Sequence, residues 1–281
     1  MADKEQLPFG RASEGSAFDT DRYARQVILP EIGVEGQARL GRARALVLGA
    51  GGLGSPAILY LAAAGVGEII VVDDDAVDLS NLQRQVLYRL DDLGRPKPEA
   101  AAGQVAALNP ACRIVPVTAR LTDARQVREL LPGIDVALDC CDTFDTRFLF
   151  SDCCWIAGVP LVSAAAIGFS GQLQVIDPRA GTACYRCLVP EMPPAELTRD
   201  CRTGGILGPV TGVMGSLQAA EAIKVIVGID SEWRRHLLHY DGLAGRFITM
   251  RRTRDPRCAL CGGAPTITEP ASIAGRSCGS A

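Results

Sequence analysis

The chain has 281 residues, 48% of them hydrophobic, 22% charged and 5% aromatic, with a formal net charge of -3. That composition is globular and excludes a disordered, collagenous or coiled-coil chain. The slight acidity offers no global basic field to nucleic acid or an anionic membrane, and the length suits one large α/β domain or two small ones.

Residues 1–20 are polar, carry no apolar signal-peptide core, and are expected to form a flexible leader. The segment 21–40 is amphipathic and predicts short helices with a turn at Pro30. Residues 44–49 (RALVLG) form a short apolar run suited to a buried parallel strand, followed by a glycine-rich turn at 49–54 and a helix over 55–64. The pattern then repeats. Strands are expected at 68–73, 113–117, 134–139 and 161–165, and helices at 98–108, 123–131 and from the fourth strand to about 157. Asn109-Pro110 ends the 98–108 helix. This alternation predicts an α/β fold, a doubly wound, mostly parallel sheet with helices on both faces.

After Phe169 the pattern changes to an antiparallel extension. Residues 171–176 alternate, 188–207 form a long loop rich in Pro, Gly and charge, and 210–227 are helical. A late hairpin is expected from 237–240 and 246–250 across Asp241-Gly242. The apolar stretch 209–227 contains Gln218, Glu221 and Lys224, which suit a buried helix better than a membrane span. Residues 263–281 are small and polar and are expected to be a disordered tail, leaving one domain at 21–262 with no internal repeat.

Gly49-Ala50-Gly51-Gly52-Leu53-Gly54 satisfies G-x-G-x-x-G between a strand and a helix. Such glycines let backbone approach phosphate, and the helix N-terminus supplies N–H groups and positive dipole. Asp73 ends the next strand, where a ribose hydroxyl would be held. Lys4, Lys97 and Lys224 are the only lysines, and none has Walker A spacing, so kinase and P-loop readings fall away. Ser80-Asn81-Leu82-Gln83-Arg84-Gln85 and then Gly94-Arg95-Pro96-Lys97 bring two cations toward the turn. On residue types alone an NAD site and an ATP site stay comparable, and Arg84 could equally form a structural ion pair.

Eleven cysteines is an odd number; with the polar start it favours a reducing cytosol over a secreted disulfide scaffold. Cys184-x-x-Cys187 and Cys258-x-x-Cys261 can together complete a tetrahedral Zn²⁺ site, although two reduced pairs or a redox dithiol would share that spacing. Cys201 lies in the long loop between Arg199 and Arg202, which favour its thiolate. Cys112, Cys140, Cys141, Cys153 and Cys154 read mostly as packing residues, and Cys278 has no assigned role.

The strings GAGGLGSP, VDDDAVDLSNLQRQVLY, GRPK, LDCCD, CYRC, CRTGGILGPVTGVMGSLQAAEAIK and CALC, in this order over 21–263, resemble the ThiF/MoeB/HesA family, bacterial relatives of ubiquitin-activating enzymes. The loop around Cys201 leans toward the ThiF branch. The resemblance implies ATP-dependent adenylylation of the C-terminal glycine of a ubiquitin-like sulfur-carrier protein ending in Gly-Gly, in thiamine, molybdopterin or related thiolation chemistry. It places the nucleotide at Gly49, Gly51, Gly52, Gly54, Asp73, Ser80, Asn81 and Gln83, and the phosphates at Asn81, Arg84 and Lys97. It further implies a homodimer in which Arg25 reaches the partner's nucleotide, and Asp142 tied to Mg²⁺. Thr143 stands where the family usually has Asn. It supports a structural Zn²⁺ on the four cysteines and a thioester or acyl-disulfide role for Cys201. No rhodanese-like extension follows Gly262, so a separate sulfur donor such as a cysteine desulfurase is expected.

The bland readings remain in view: Asp142 could cap the helix after it, Arg25 could be a solvated surface charge, and Cys201 a small loop residue. Two other functions compete. One is an NAD-dependent oxidoreductase on the same turn; the other is a non-catalytic scaffold that binds a ubiquitin-like partner.

Overall fold

Strands that are apolar on both faces are stable only where helices cover both sides of a parallel sheet. β1 (Arg44–Leu48), β2 (Glu68–Asp73), β4 (Val136–Asp139) and β5 (Leu161–Ile167) answer that description, and β3 (Arg113–Thr118), exposed or half-buried throughout, forms the edge beside them. In the computed structural model, which describes residues 19–194, 204–270 and 273, they run parallel in the order β3-β2-β1-β4-β5. β6 (Ser170–Ile176), β7 (His236–Asp241) and β8 (Arg246–Arg251) continue the sheet antiparallel to eight strands.

The two-residue period of the strands sorts their side chains into two cores. Ala45, Val47, Ile69, Val71, Val136 and Leu138 meet α3 (Gly54–Ala64), α4 (Lys97–Leu108) and α8 (Gly208–Val227). Leu46, Leu48, Ile70, Val72 and Ala137 meet α5 (Ala124–Leu130) and α6 (Phe144–Ile156) on the other face. By length and composition α8 could cross a membrane, but it packs on α3, β5 and β6. Its polar residues are satisfied inside: Gln218 Nε2 donates to Asp139 O at 2.8 Å and Val162 O at 3.1 Å. Buried Glu221 accepts from Lys224 Nζ at 2.7 Å and from the Ser231 hydroxyl.

Short helices α1 (Thr20–Val27) and α2 (Gly33–Arg42) precede β1, as the amphipathic pattern predicts. Asp19 caps α1 by accepting from the Asp21 and Arg22 amides. The leader before residue 19 lies outside the described residues. The late hairpin turns over 242–245, wider than Asp241-Gly242, because Asp241 Oδ1 accepts from the amides of Leu243 and Ala244 and Gly245 takes φ 63. The tail expected to be disordered from 263 is corrected over 263–270. Thr266 and Ile267 amides donate to Ala259 O, Glu269 pairs with Arg128 at 3.1 Å, and the Ile273 amide donates to Thr122 O at 2.7 Å. Backbone donors satisfied on the body outweigh the polar composition there.

The glycine turn is built on backbone contact. Gly49 takes φ 94, and a Cβ there would lie 2.7 Å from Cys140 O. A Cβ on Gly54 would overlap Gly49 O. Gly54→Ala is therefore expected to lower stability by about 1–3 kcal/mol, measured as a lower urea midpoint with an unchanged m-value.

Candidate active site

In a doubly wound sheet the crevice opens where the strand order reverses, beyond the carboxyl ends of the strands. Here that point lies between β1 and β4, and a cavity of about 610 Å³ opens there. Gly49, Gly51 and Gly52 form one wall, Asp73 to Asp75 another, and Cys140 to Thr143 the opposite side. Asp73 Oδ2 accepts from the Ala50 amide at 2.7 Å, and its Oδ1 accepts from the Asp75 amide at 2.8 Å. Burial pushes the Asp73 carboxyl up, and the Lys97 charge pulls it back.

Lys97 opens α4 and is only 3% exposed. Its Nζ lies 2.6 Å from Asp75 Oδ2 and 4.0 Å from Asp73 Oδ1, so its charge enters the cavity already paired. Arg84 follows a single 3-10 turn at Leu79–Asn81, and its Nη1 donates to Ser80 O at 3.2 Å, with no carboxylate partner among the described residues. Asn81 also lines the cavity. Buried Gln85 turns its amide toward Gly51, and its Oε1 has no hydrogen-bond partner among the described residues. An orphaned polar atom beside a glycine turn suits a ligand that completes its bonding.

Asp142 is exposed on the far wall, and Thr143 starts α6 with its hydroxyl donating to Thr146 Oγ1 at 2.9 Å. Beneath them lies a buried ion pair. Asp139, fully buried, lies 2.8 Å from Arg147 Nε and accepts from Ser163 Oγ at 2.7 Å. Arg147 Nη2 donates to Cys141 O at 2.8 Å and Ala164 O at 2.7 Å. Cys141 is corrected from a packing residue: it is half-buried, lines the cavity and donates its thiol to Asp139 Oδ1 at 2.7 Å. Burial, reinforced by that carboxylate, pushes its thiol well up, so it stays protonated.

The crevice brings together Gly49, Gly51, Gly52, Asp73, Asn81, Arg84, Lys97, Asp142 and Thr143 from the sequence reading. Gly54, Ser80 and Gln83 stand behind its walls: Ser80 Oγ donates to Asp78 Oδ1 at 2.6 Å, and the Gln83 carbonyl abuts Gly208. Arg25 is exposed on α1, which is tied to the other end of α3 by Gln26 Nε2 donating to Ala64 O. It does not line this chain's own cavity. Cys201 lies outside the described residues. Sequence reasoning missed Asp139, Arg147, Gln85 and Arg120, all bordering the cavity or its floor. The acid that closes the apolar run IDVALD was the available signal for Asp139.

The four cysteines meet at the other end of α6. Cys184, at the start of α7 (Tyr185–Leu188), lies 3.5 Å from Cys258 Sγ, Cys187 lies 3.3 Å from Cys261 Sγ, and Cys184 and Cys187 are 3.8 Å apart. These spacings exceed a disulfide bond and approach the edge of roughly 3.8 Å that a tetrahedron of Zn–S bonds requires. Burial pushes the Cys184 thiol up and Cys187 to about 11. A cation would have to displace those protons. Buried Arg252 donates to the carbonyls of Ala183 and Val175, and the Asp255 amide donates to Cys187 Sγ at 3.4 Å. Donors and a cation around four thiols fit a zinc–thiolate centre.

A doubly wound, nucleotide-binding type of fold is thus joined to a four-cysteine knuckle. Residues 23–260 match the ThiF family, and the chain belongs to it. It is similar to "Adenylyltransferase and sulfurtransferase MOCS3" of Sus scrofa, at 47% identity over 94% of this chain and 58% of that protein. The chain therefore spans little more than half the length of that relative. It is also similar to "Sulfur carrier protein adenylyltransferase" of Thermus thermophilus, at 45% identity over 89% of this chain and 94% of that protein. The crystal structure of E. coli MccB with AMPCPP and MccA superposes with a TM-score of 0.74 at 25% identity, covering 88% of this chain and 76% of that one.

The purified chain is expected to hold one zinc per four-cysteine set. Cys187→Ser should release it to a colorimetric chelator and lower the unfolding midpoint by about 4–8 °C, the equivalent of roughly 2 kcal/mol.

Proposed function

We propose that this chain uses ATP to adenylylate the C-terminal glycine carboxylate of a small ubiquitin-like sulfur-carrier protein. One observation carries the reading: Arg84 and Lys97 face the same crevice as the glycine turn, with Asp142 on the opposite wall. A pyrophosphate already held by backbone N–H groups has little need of two cations; a triphosphate whose terminal diphosphate must depart does.

The glycine turn and the N-terminus of α3 receive phosphate oxygens, and Asp73 receives the ribose hydroxyls. A carboxylate oxygen of the carrier attacks the α-phosphorus. The bond to the bridging oxygen of the β-phosphate breaks, and pyrophosphate leaves with the electron pair. The glycine carboxylate is already ionised at neutral pH, so no protein base is required, which agrees with a chain of only two histidines. Arg84 and Lys97 stabilise the charge that gathers on the departing diphosphate. Lys97 exchanges Asp75 for phosphate as it does so. Asp142 would hold Mg²⁺, which supplies further charge neutralisation at the phosphates.

Small residues suit the acceptor. Ala164, Ala165, Ala166 and Gly171 line the arm of the crevice leading away from the turn, where a Gly-Gly tail needs width for backbone only. Arg25 would come from a second copy of the chain in a homodimer, because its own helix is tied to the far end of α3. Cys201 would take up the activated acyl group as a thioester, its thiolate displacing AMP; or, once a separate donor such as a cysteine desulfurase has passed it a sulfur as a persulfide, the terminal sulfur would displace AMP to give an acyl disulfide.

Two outcomes test the reading. Mass spectrometry of carriers ending in Gly-Gly, incubated with the chain and MgATP, should show addition of AMP, and carrier-dependent ATP–pyrophosphate exchange should accompany it. Lys97→Ala and Asp142→Asn should each lower exchange about 100–1,000-fold. MgATP should also raise the unfolding midpoint where NAD does not; stabilisation by NAD alone would support a dehydrogenase instead.

A further inference from the structure

We infer that the Tyr88 hydroxyl aims the Gly51 amide at the phosphates of the nucleotide, which makes Tyr88 a positioning residue of the glycine turn. The inference rests on the reading that ATP occupies the crevice.

Residues 49–54 carry no polar side chain, so the turn can offer phosphate only its backbone. Its donors are therefore as well placed as its peptide planes. Across a trans peptide the C=O and the N–H point in opposite directions, and holding one aims the other. No described peptide bond is cis. Three successive planes of the turn are held, each by a different partner. The Ala50 amide donates to Asp73 Oδ2 at 2.7 Å and is thereby withdrawn from phosphate. The Gly51 carbonyl accepts from the Ser55 amide in the first turn of α3 at 2.9 Å. Between them, the Ala50 carbonyl accepts from the Tyr88 hydroxyl at 2.8 Å. That carbonyl and the Gly51 N–H share one plane. Gly51 borders the crevice, whereas Ala50 and Tyr88 do not. Drawing the carbonyl toward Tyr88 thus turns the Gly51 N–H toward the crevice, where it has no protein acceptor among the described residues.

Tyr88 is itself firmly seated. It ends the stretch that begins at Asn81 and carries Arg84. Within that stretch the Gln85 backbone amide donates to Asn81 O at 2.9 Å, and the Tyr88 amide to Gln85 O at 3.2 Å. Leu87 and Tyr88 are buried in the same core as α3. The Arg89 amide donates to Asp92 Oδ2 at 3.0 Å and fixes the chain just beyond the ring. Burial pushes the Tyr88 phenol up, and the Asp73 charge adds to the shift, so the hydroxyl keeps the proton it donates. Ala50 is fully buried. Without the hydroxyl its carbonyl would lose this donor, and a buried acceptor left unpaired is costly. The plane is then free to rotate, because Gly51 has no side chain to resist it.

The test compares Tyr88→Phe with the unaltered chain in binding of MgATP and of adenosine, on folded protein checked by circular dichroism. The phenylalanine ring fills the same space and removes only the hydroxyl. The dissociation constant for MgATP should rise about 3–10-fold, the worth of one hydrogen bond. That for adenosine, which has no phosphate, should stay within about twofold. An unchanged MgATP constant overturns the inference. So does an adenosine constant that rises by the same factor, as a general loosening of the fold would produce. A second measurement needs no variant. In a chain labelled with [15N]glycine, the Gly51 amide proton should move downfield when MgATP binds and stay in place with adenosine. A Gly51 amide that answers both alike, or neither, overturns the inference. If the unaltered chain binds neither MgATP nor adenosine, the nucleotide reading fails and the inference with it; intact MgATP binding with the wrong pattern sinks the inference alone.

Discussion

Three stretches of backbone meet at one point in this fold: the end of β1, the first residue of α3 and the end of β4. Gly49 and Gly54 touch across the turn, and Gly49 also lies against the Cys140 carbonyl. Side chains at those positions would force the turn open and separate β1 from β4. The crevice depends on that closeness. It places the amides of the turn, the N-terminus of α3 and the crossover at Asp142 around one volume. The parallel register of β1 with β2 and with β4, Leu48 opposite Val72 and opposite Asp139, brings three strand ends to the same height.

Charge in this crevice is managed by pairing. Lys97 and Asp75 neutralise one another on one wall, and Asp139 and Arg147 do so under the other. Buried charges without such partners would cost several kcal/mol each. The pairs differ in consequence. Asp75 is exposed, so its hold on Lys97 can be exchanged for a phosphate at modest cost. The Asp139–Arg147 pair is buried and held by the Ser163 hydroxyl and the carbonyls of Cys141 and Ala164. One crevice thus has a pair with an exposed acid on one wall and a buried pair beneath the other.

Much of this was legible in the chain. The apolar runs at 44–49 and 68–73 marked β1 and β2, and the glycines at 49, 51 and 54 marked the turn between strand and helix, because parallel strands and phosphate turns have strict local requirements. Arg84 and Lys97 could be picked out by their place after predicted strands, and Asp142 by the family resemblance. Less legible were features whose partners lie far away in sequence. Arg147 looked like an ordinary helix residue until Asp139, Cys141 O and Ala164 O surrounded it. Cys141 looked like packing until its thiol met Asp139. The segment 263–270 looked like a tail because its composition is polar, yet Ala259 and Arg128 supply its partners.

By itself, the order of apolar runs, glycines and cysteine pairs determined an α/β sheet, its nucleotide turn and two thiol pairs, since each is a local pattern with a local physical cause. Only the tertiary structure decided which charges are paired, that Arg25 lies outside its own chain's crevice, and that the four thiols converge at the far end of α6. Those outcomes depend on contacts between residues separated by tens of positions. Burial and distance, which no local pattern encodes, select them.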